Sequence, residues 1–113
     1  MSAAALRGAA RVALDKKASD VVILDLQRSR SIVDYFLIAS GTNQRQIVAI
    51  AEALRERLRE QQRKPLHVEG YPRQEWILLD YGDFVVHVFT ERQRAFYDIE
   101  RLWGDAGREE VTA

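Results

Sequence analysis

Asp80 and Asp83 are the two carboxylates of this chain whose spacing comes closest to a site. They flank the dipeptide Tyr81-Gly82 between two apolar runs, Trp76 to Leu79 and Phe84 to Phe89. A two-residue hairpin turn over Tyr81-Gly82 would set them face to face across the strands, where a carboxylate pair can begin a divalent-cation site. Hard cations need several further oxygen ligands, and the sequence names none nearby. Aspartates also flank turns because their side chains bond neighbouring backbone groups. The turn reading is the stronger, and neither a metal nor another cofactor is expected.

Ser40-Gly41-Thr42-Asn43 leads from an apolar run into a helical one. A helix N-terminus there would offer free N–H groups to an anion, but the stretch lacks the phosphate-loop pattern and its lysine. An ordinary cap accounts for it. His67 and His87 are the only histidines, twenty residues apart in a chain without cysteine, which is no zinc spacing. His87 alternates with Val85 and Phe89, so it reads as a half-buried, hydrogen-bonded strand residue. No serine sits in a nucleophile-elbow context.

The elements that must position these residues follow from periodicity. Residues 3–18, rich in alanine with Leu6, Val12 and Leu14, predict a first helix. Asp20 to Leu26 predicts a strand, its run Val21-Val22-Ile23-Leu24 being apolar at consecutive positions, as when both sheet faces are covered. A second strand is expected over Val33 to Ala39. Residues 43–62 are the clearest helix, with Ile47, Ile50, Ala51, Leu54 and Leu58 on one face and Glu–Arg pairs three apart on the other. Asn43 with Gln46, and Thr90 with Gln93, look like capping boxes. Pro65 stops the helix, and Leu66 to Val68 is a short strand before Gly70-Tyr71-Pro72. The hairpin follows, then a last helix through Trp103 with Phe96, Ile99 and Trp103 as an apolar stripe beside Leu102. The order α-β-β-α-β-β-β-α predicts an α/β (α+β layered) domain, a mixed five-stranded sheet with helices packed on it. The chain reads as one domain over residues 1–113, with 107–113 as a flexible tail.

Seventeen basic residues balance seventeen acidic ones. A protein that grips phosphates non-specifically carries a basic surplus, because each neutralised phosphate releases counterions. None is present globally, so little direct nucleic-acid contact is expected, a local patch at Arg28, Arg30 and Arg45 apart. No run approaches a membrane span, and no membrane partner is expected. Met1 to Arg11 has no sustained apolar core for a secretory signal; its amphipathic, arginine-containing, acid-poor start has the flavour of an organellar presequence but is very short for one. The absence of cysteine fits a reducing compartment, and a cytoplasmic protein is the simplest placement.

Trp76, Tyr81, Tyr97 and Trp103 remain. Trp103 belongs as readily to the core, whereas Tyr81 sits at a turn tip. Aromatic side chains are enriched where proteins meet proteins, because they bury a large area and keep a polar handle. With a neutral chain and no catalytic constellation, a protein-binding surface is the leading functional idea.

Four blocks add a resemblance: SIVDYFLIASGTNQRQ over Ser31 to Gln46, Glu69-Gly70, WILLDYGDFVVHVF over Trp76 to Phe89, and RAFYDIERLW over Arg94 to Trp103. In order and spacing they resemble the ribosomal silencing factor family, RsfS in bacteria and Iojap in plants, over about residues 12–106. The family commonly has two tyrosines where this chain has Phe96-Tyr97, which removes one hydroxyl. The resemblance implies a fold related to nucleotidyltransferases without their catalytic carboxylates. It implies binding to the large ribosomal subunit through universal large-subunit ribosomal protein fourteen, so that the small subunit cannot join and translation is repressed. The contact residues carried over are Trp76, Asp80, Tyr81, Gly82, Asp83, Tyr97 and Glu100. A homodimer of the free protein is a further expectation. The enzyme alternative is a nucleotidyltransferase-like transfer, with Ser40-Gly41 holding phosphate and Asp80 and Asp83 holding metal. Its weakness is spacing, since that fold places its carboxylates as an i, i+2 pair on one strand.

Overall fold

Ser2 starts α1 (Ala3–Asp15) by accepting the N–H of Ala5 on its hydroxyl. Leu6, Ala9, Ala10 and Ala13 then recur on one face and are fully buried, and the small alanines let the helix lie close to its neighbours. The computed structural model describes residues 1–29 and 31–113; Arg30, grouped above with Arg28 and Arg45, lies outside the described residues. Strands β1 (Ser19–Asp25) and β2 (Tyr35–Gly41) precede α2 (Gln44–Glu60). The N-cap of α2 is Asn43, whose Oδ1 accepts the N–H of Gln46 at 2.8 Å. Strands β3 (His67–Glu69), β4 (Trp76–Asp80) and β5 (Phe84–Thr90) lead into α3 (Glu91–Tyr97), a 3-10 helix (Ile99–Trp103) and β6 (Gly107–Glu110).

The sheet is mixed, in the order β3-β4-β5-β2-β1-β6, and only β2 and β5 run parallel. It has six strands where five were expected. The sixth occupies the segment read as a tail: β6 pairs antiparallel with β1, Val111 donates its N–H to the Val21 carbonyl and is itself buried, and Glu109 is paired with Arg7 of α1. Backbone pairing and ion pairs hold a strand whose sequence, Gly-Arg-Glu-Glu, carries no apolar signal.

Alternate residues of each strand separate two layers. One face takes Val21, Ile23, Leu37, Ile77, Leu79, Phe84, Val86 and Val88, and is covered by α1 and α2. The other takes Val22, Leu24, Ile38, Val85 and Phe89, with Phe36, Trp76 and Leu78 only partly buried at its margin. The run Val21 to Leu24 is buried throughout, as a strand covered on both sides requires.

The second face is covered by the end of the chain, and here the expected single helix is broken. Asp98 adopts a left-handed conformation (φ 45°, ψ 49°) between α3 and the 3-10 helix, which Asp tolerates better than most residues. Ile99 and Trp103 are thereby turned onto the sheet, while Phe96 and Leu102 are 77% and 78% exposed. The predicted stripe does not exist as one face.

Candidate functional site

The hairpin closes one residue later than the sequence suggests. Asp80 pairs with Val85 and Tyr81 donates its N–H to the Phe84 carbonyl, so the two-residue loop is Gly82-Asp83. Gly82 has φ +93° at the first loop position, the requirement of a II′ turn. Asp80 and Asp83 therefore do not face each other. The Asp80 carboxylate accepts the N–H of Gly82 at 2.8 Å, an ordinary turn bond. Asp83 is held between Arg63 and the Met1 ammonium. Burial opposes its ionisation, but hydrogen bonds from Arg63 and the ammonium prevail and its pKa falls to about 2.

The same shift corrects Tyr81. It becomes the last member of the Ile77, Leu79, Tyr81 row on the helix-covered face, 4% exposed and stacked on Phe84 at 4.7 Å. Burial pushes its phenol up to about 12, and its hydroxyl has no hydrogen-bond partner. Its ring is core, not turn-tip trim.

The other face of β4 presents Trp76, Leu78 and Asp80. Trp76 and Tyr97, twenty-one residues apart in sequence, meet here with ring centroids 4.9 Å apart. Phe89 stacks on Trp76 at 4.7 Å, and the indole N–H donates to Nδ1 of His87 at 3.1 Å. Tyr97 remains 51% exposed. A cleft of about 320 Å³ opens beside the pair, bounded by Pro72, Arg73, Glu75 and Gln93. Gln93 donates to the Glu75 carboxylate at 2.8 Å. Gly70 fixes the loop against β4: its φ is +97°, and a Cβ there would lie 1.8 Å from the Trp76 carbonyl oxygen.

Glu100 is committed within the chain. Its carboxylate accepts from Arg94 Nε at 2.8 Å and from Arg108, and Arg94 in turn donates to Ser40 Oγ at 2.8 Å and to the Asp20 carbonyl. Hydrogen bonds from Arg94 first, then Arg108, lower its pKa against the effect of burial. This residue fastens the 3-10 helix to the sheet.

The carried-over residues thus fall into two groups. Trp76, partly buried, and Tyr97, half exposed, form one aromatic pair at the surface. Gly82, Asp80 and Asp83 sit at the hairpin tip, four strand steps or roughly 13 Å from Trp76. Sequence reasoning missed Leu78, next to Trp76 on the same face of β4, although the period-two row Trp76, Leu78, Asp80 marks it, and Phe36, which reaches the pair only through His87. His87 was read as half-buried and is 4% exposed.

The halves of an enzyme site lie apart. Gly41 pairs with Thr90 while Tyr35 pairs with Phe84, so Ser40-Gly41 and the Asp80–Asp83 tip are at opposite ends of the strands, about 20 Å apart. Ser40 is 1% exposed, and the Thr42 N–H is already taken by Gln46 Oε1 at 2.7 Å. Among the described residues, no three His, Cys, Asp or Glu side chains cluster as a metal site.

Fold and surface define a layered α/β domain with one exposed aromatic face. The family model described as "Ribosomal silencing factor during starvation" matches residues 1–113, and the chain belongs to that family. It is similar to the ribosomal silencing factor RsfS of Halalkalibacterium halodurans, 46% identical over 81% of this chain and 79% of that protein. The RsfS of Bacillus subtilis is 40% identical over 89% and 86%. A solved structure of a Chromobacterium violaceum protein superposes with a TM-score of 0.84 at 33% identity, covering 100% of this chain and 95% of the other.

Proposed function

We propose that this protein represses translation by docking on the large ribosomal subunit through universal large-subunit ribosomal protein fourteen and blocking the small subunit sterically. The observation that carries the reading is the Trp76–Tyr97 pair, two large aromatic rings left partly exposed in contact with each other, with Leu78 partly buried on the same face. Paired aromatics of this kind dominate protein interfaces. Family membership supplies the ribosome as the setting. A contact of roughly 800 Å² is broad enough to include both Trp76–Tyr97 and the Asp80, Gly82, Asp83 tip. Tyr81 and Glu100 then support that face from beneath.

Blocking needs bulk and no catalysis. A body of 34 × 33 × 28 Å at a subunit interface fills the space that a closely fitting partner requires. The balanced charge supports a contact made mainly with protein and with little RNA, and the cytoplasm is the proposed setting. No helix is long and apolar enough to cross a membrane among the described residues. An exposed apolar face also supports self-pairing of the free protein as a homodimer. Sedimentation of purified subunits with and without the protein tests the reading: subunits that join equally well at saturating protein would rule it out.

A further inference from the structure

His87 is an expensive choice for its position. It lies in the middle of β5, opposite Leu78 and beside Ile38, between the apolar neighbours Val85 and Phe89 on the same face. Packing alone would be served by leucine. The imidazole instead brings two polar nitrogens to a site 4% exposed, and Nε2 has no hydrogen-bond partner. An orphaned buried polar group is destabilising, because it gives up its hydrogen bonds to water without replacing them. What the histidine provides is a single bond, from Trp76 Nε1–H to its Nδ1 at 3.1 Å.

That bond does something stacking cannot. Phe89 at 4.7 Å and Tyr97 at 4.9 Å constrain the plane of the indole, but ring stacking tolerates rotation within the plane. A directional acceptor decides which edge points inward. Because Nδ1 accepts, the neutral ring carries its proton on Nε2. Burial lowers the pKa of His87 to about 4, so the acceptor persists through the near-neutral range. Phe36, edge-on at 4.5 Å, holds the imidazole in turn.

We propose that His87 is a positioning residue of the docking face: its Nδ1 sets the indole of Trp76, and so shapes the cleft beside Tyr97 that receives the partner protein. The proposal rests on the docking role proposed above.

Two variants separate positioning from packing. His87→Leu keeps an apolar side chain of similar size and removes the acceptor. His87→Asn keeps an acceptor at the δ position and leaves a void. The indole N–H resonances are followed by ¹H–¹⁵N NMR, with Trp76 assigned by its loss in Trp76→Phe and Trp103 as the reference. Large-subunit affinity is measured by pelleting, and Tm by circular dichroism. For His87→Leu the expected result is a Tm at or above wild type, a displaced Trp76 indole resonance, and affinity reduced roughly tenfold. For His87→Asn it is a lower Tm, a Trp76 resonance near wild type, and affinity within roughly threefold. An unmoved Trp76 resonance in His87→Leu, a moved one with wild-type affinity, or affinities that simply follow Tm would each overturn the proposal. A wild-type protein that fails to pellet with large subunits sinks the docking reading and with it this role; the indole resonance still reports separately whether His87 sets Trp76.

Discussion

Arg94 and Glu100 form an ion pair across the break at Asp98, Nε to Oε1 at 2.8 Å, with side chains only 10% and 18% exposed. Arg94 also reaches Ser40 on β2 and the Asp20 carbonyl of β1. One guanidinium therefore ties the end of the chain to two strands, and the aromatic face depends on it because Tyr97 lies between the two partners in sequence.

Removing one member of a largely buried pair leaves the other charge uncompensated, which costs about 3–5 kcal/mol when burial is complete. Both side chains keep some solvent and Arg108 still reaches Glu100, so Arg94→Ala is expected to cost about 2–3 kcal/mol. In a domain of this size that lowers Tm by roughly 10–15 °C. A thermal melt checks this directly. Glu100→Gln is expected to lose stability as well, which distinguishes a fastening residue from a contact residue.

Tyr81→Phe removes a buried hydroxyl that has no partner, so its effect on stability is expected to be neutral or favourable. Tyr81→Ala opens a cavity beneath the hairpin and is expected to cost about 3–5 kcal/mol. Urea unfolding of both variants measures the difference. Tyr81→Phe should pellet with large subunits as wild type does; a selective loss of binding would return the hydroxyl to the contact surface.

Acid stability should show two stages. The folded pKa of His87, about 4, lies below its ordinary 6.5, so the unfolded chain takes up a proton that the folded chain refuses. The stability associated with His87 is full above about pH 6.5, declines as pH falls, and levels off near pH 4, a loss of up to about 3 kcal/mol. Asp83, lowered to about 2 from 3.8, contributes above 3.8 and is lost as pH falls towards 2. Unfolding free energies at pH 7.5, 5.5 and 4.2 should drop in wild type and stay flatter in His87→Leu; parallel curves would contradict the assignment.

Most of the fold was legible because apolar residues kept their period. Val21 to Leu24 announced a strand covered on both faces, and Asn43 marked the start of α2 that its side chain caps. The turn frame was harder, since Gly82 belongs to the loop in either register; the row Ile77, Leu79, Tyr81 holds the deciding signal, because an aromatic continuing a buried alternation belongs to the strand. The break at Asp98 left no such mark. Phe96, Ile99 and Trp103 fit a continuous helix, and only the Arg94, Glu100, Arg108 network and the sheet beneath select the kink. Strand β6 was invisible because its partners, Arg7 and β1, lie about eighty or more residues away.

Subunit joining with the Tyr97→Ala variant is the sharpest test of docking through the aromatic pair, because Tyr97 is half exposed and its removal leaves the core intact. Purified subunits are sedimented without protein, with wild type, and with Tyr97→Ala whose fold is verified by circular dichroism. Wild type is expected to keep subunits apart and to pellet with the large one, while Tyr97→Ala binds at least roughly tenfold more weakly and lets subunits join. Equal blocking by a folded Tyr97→Ala protein would contradict docking through this pair.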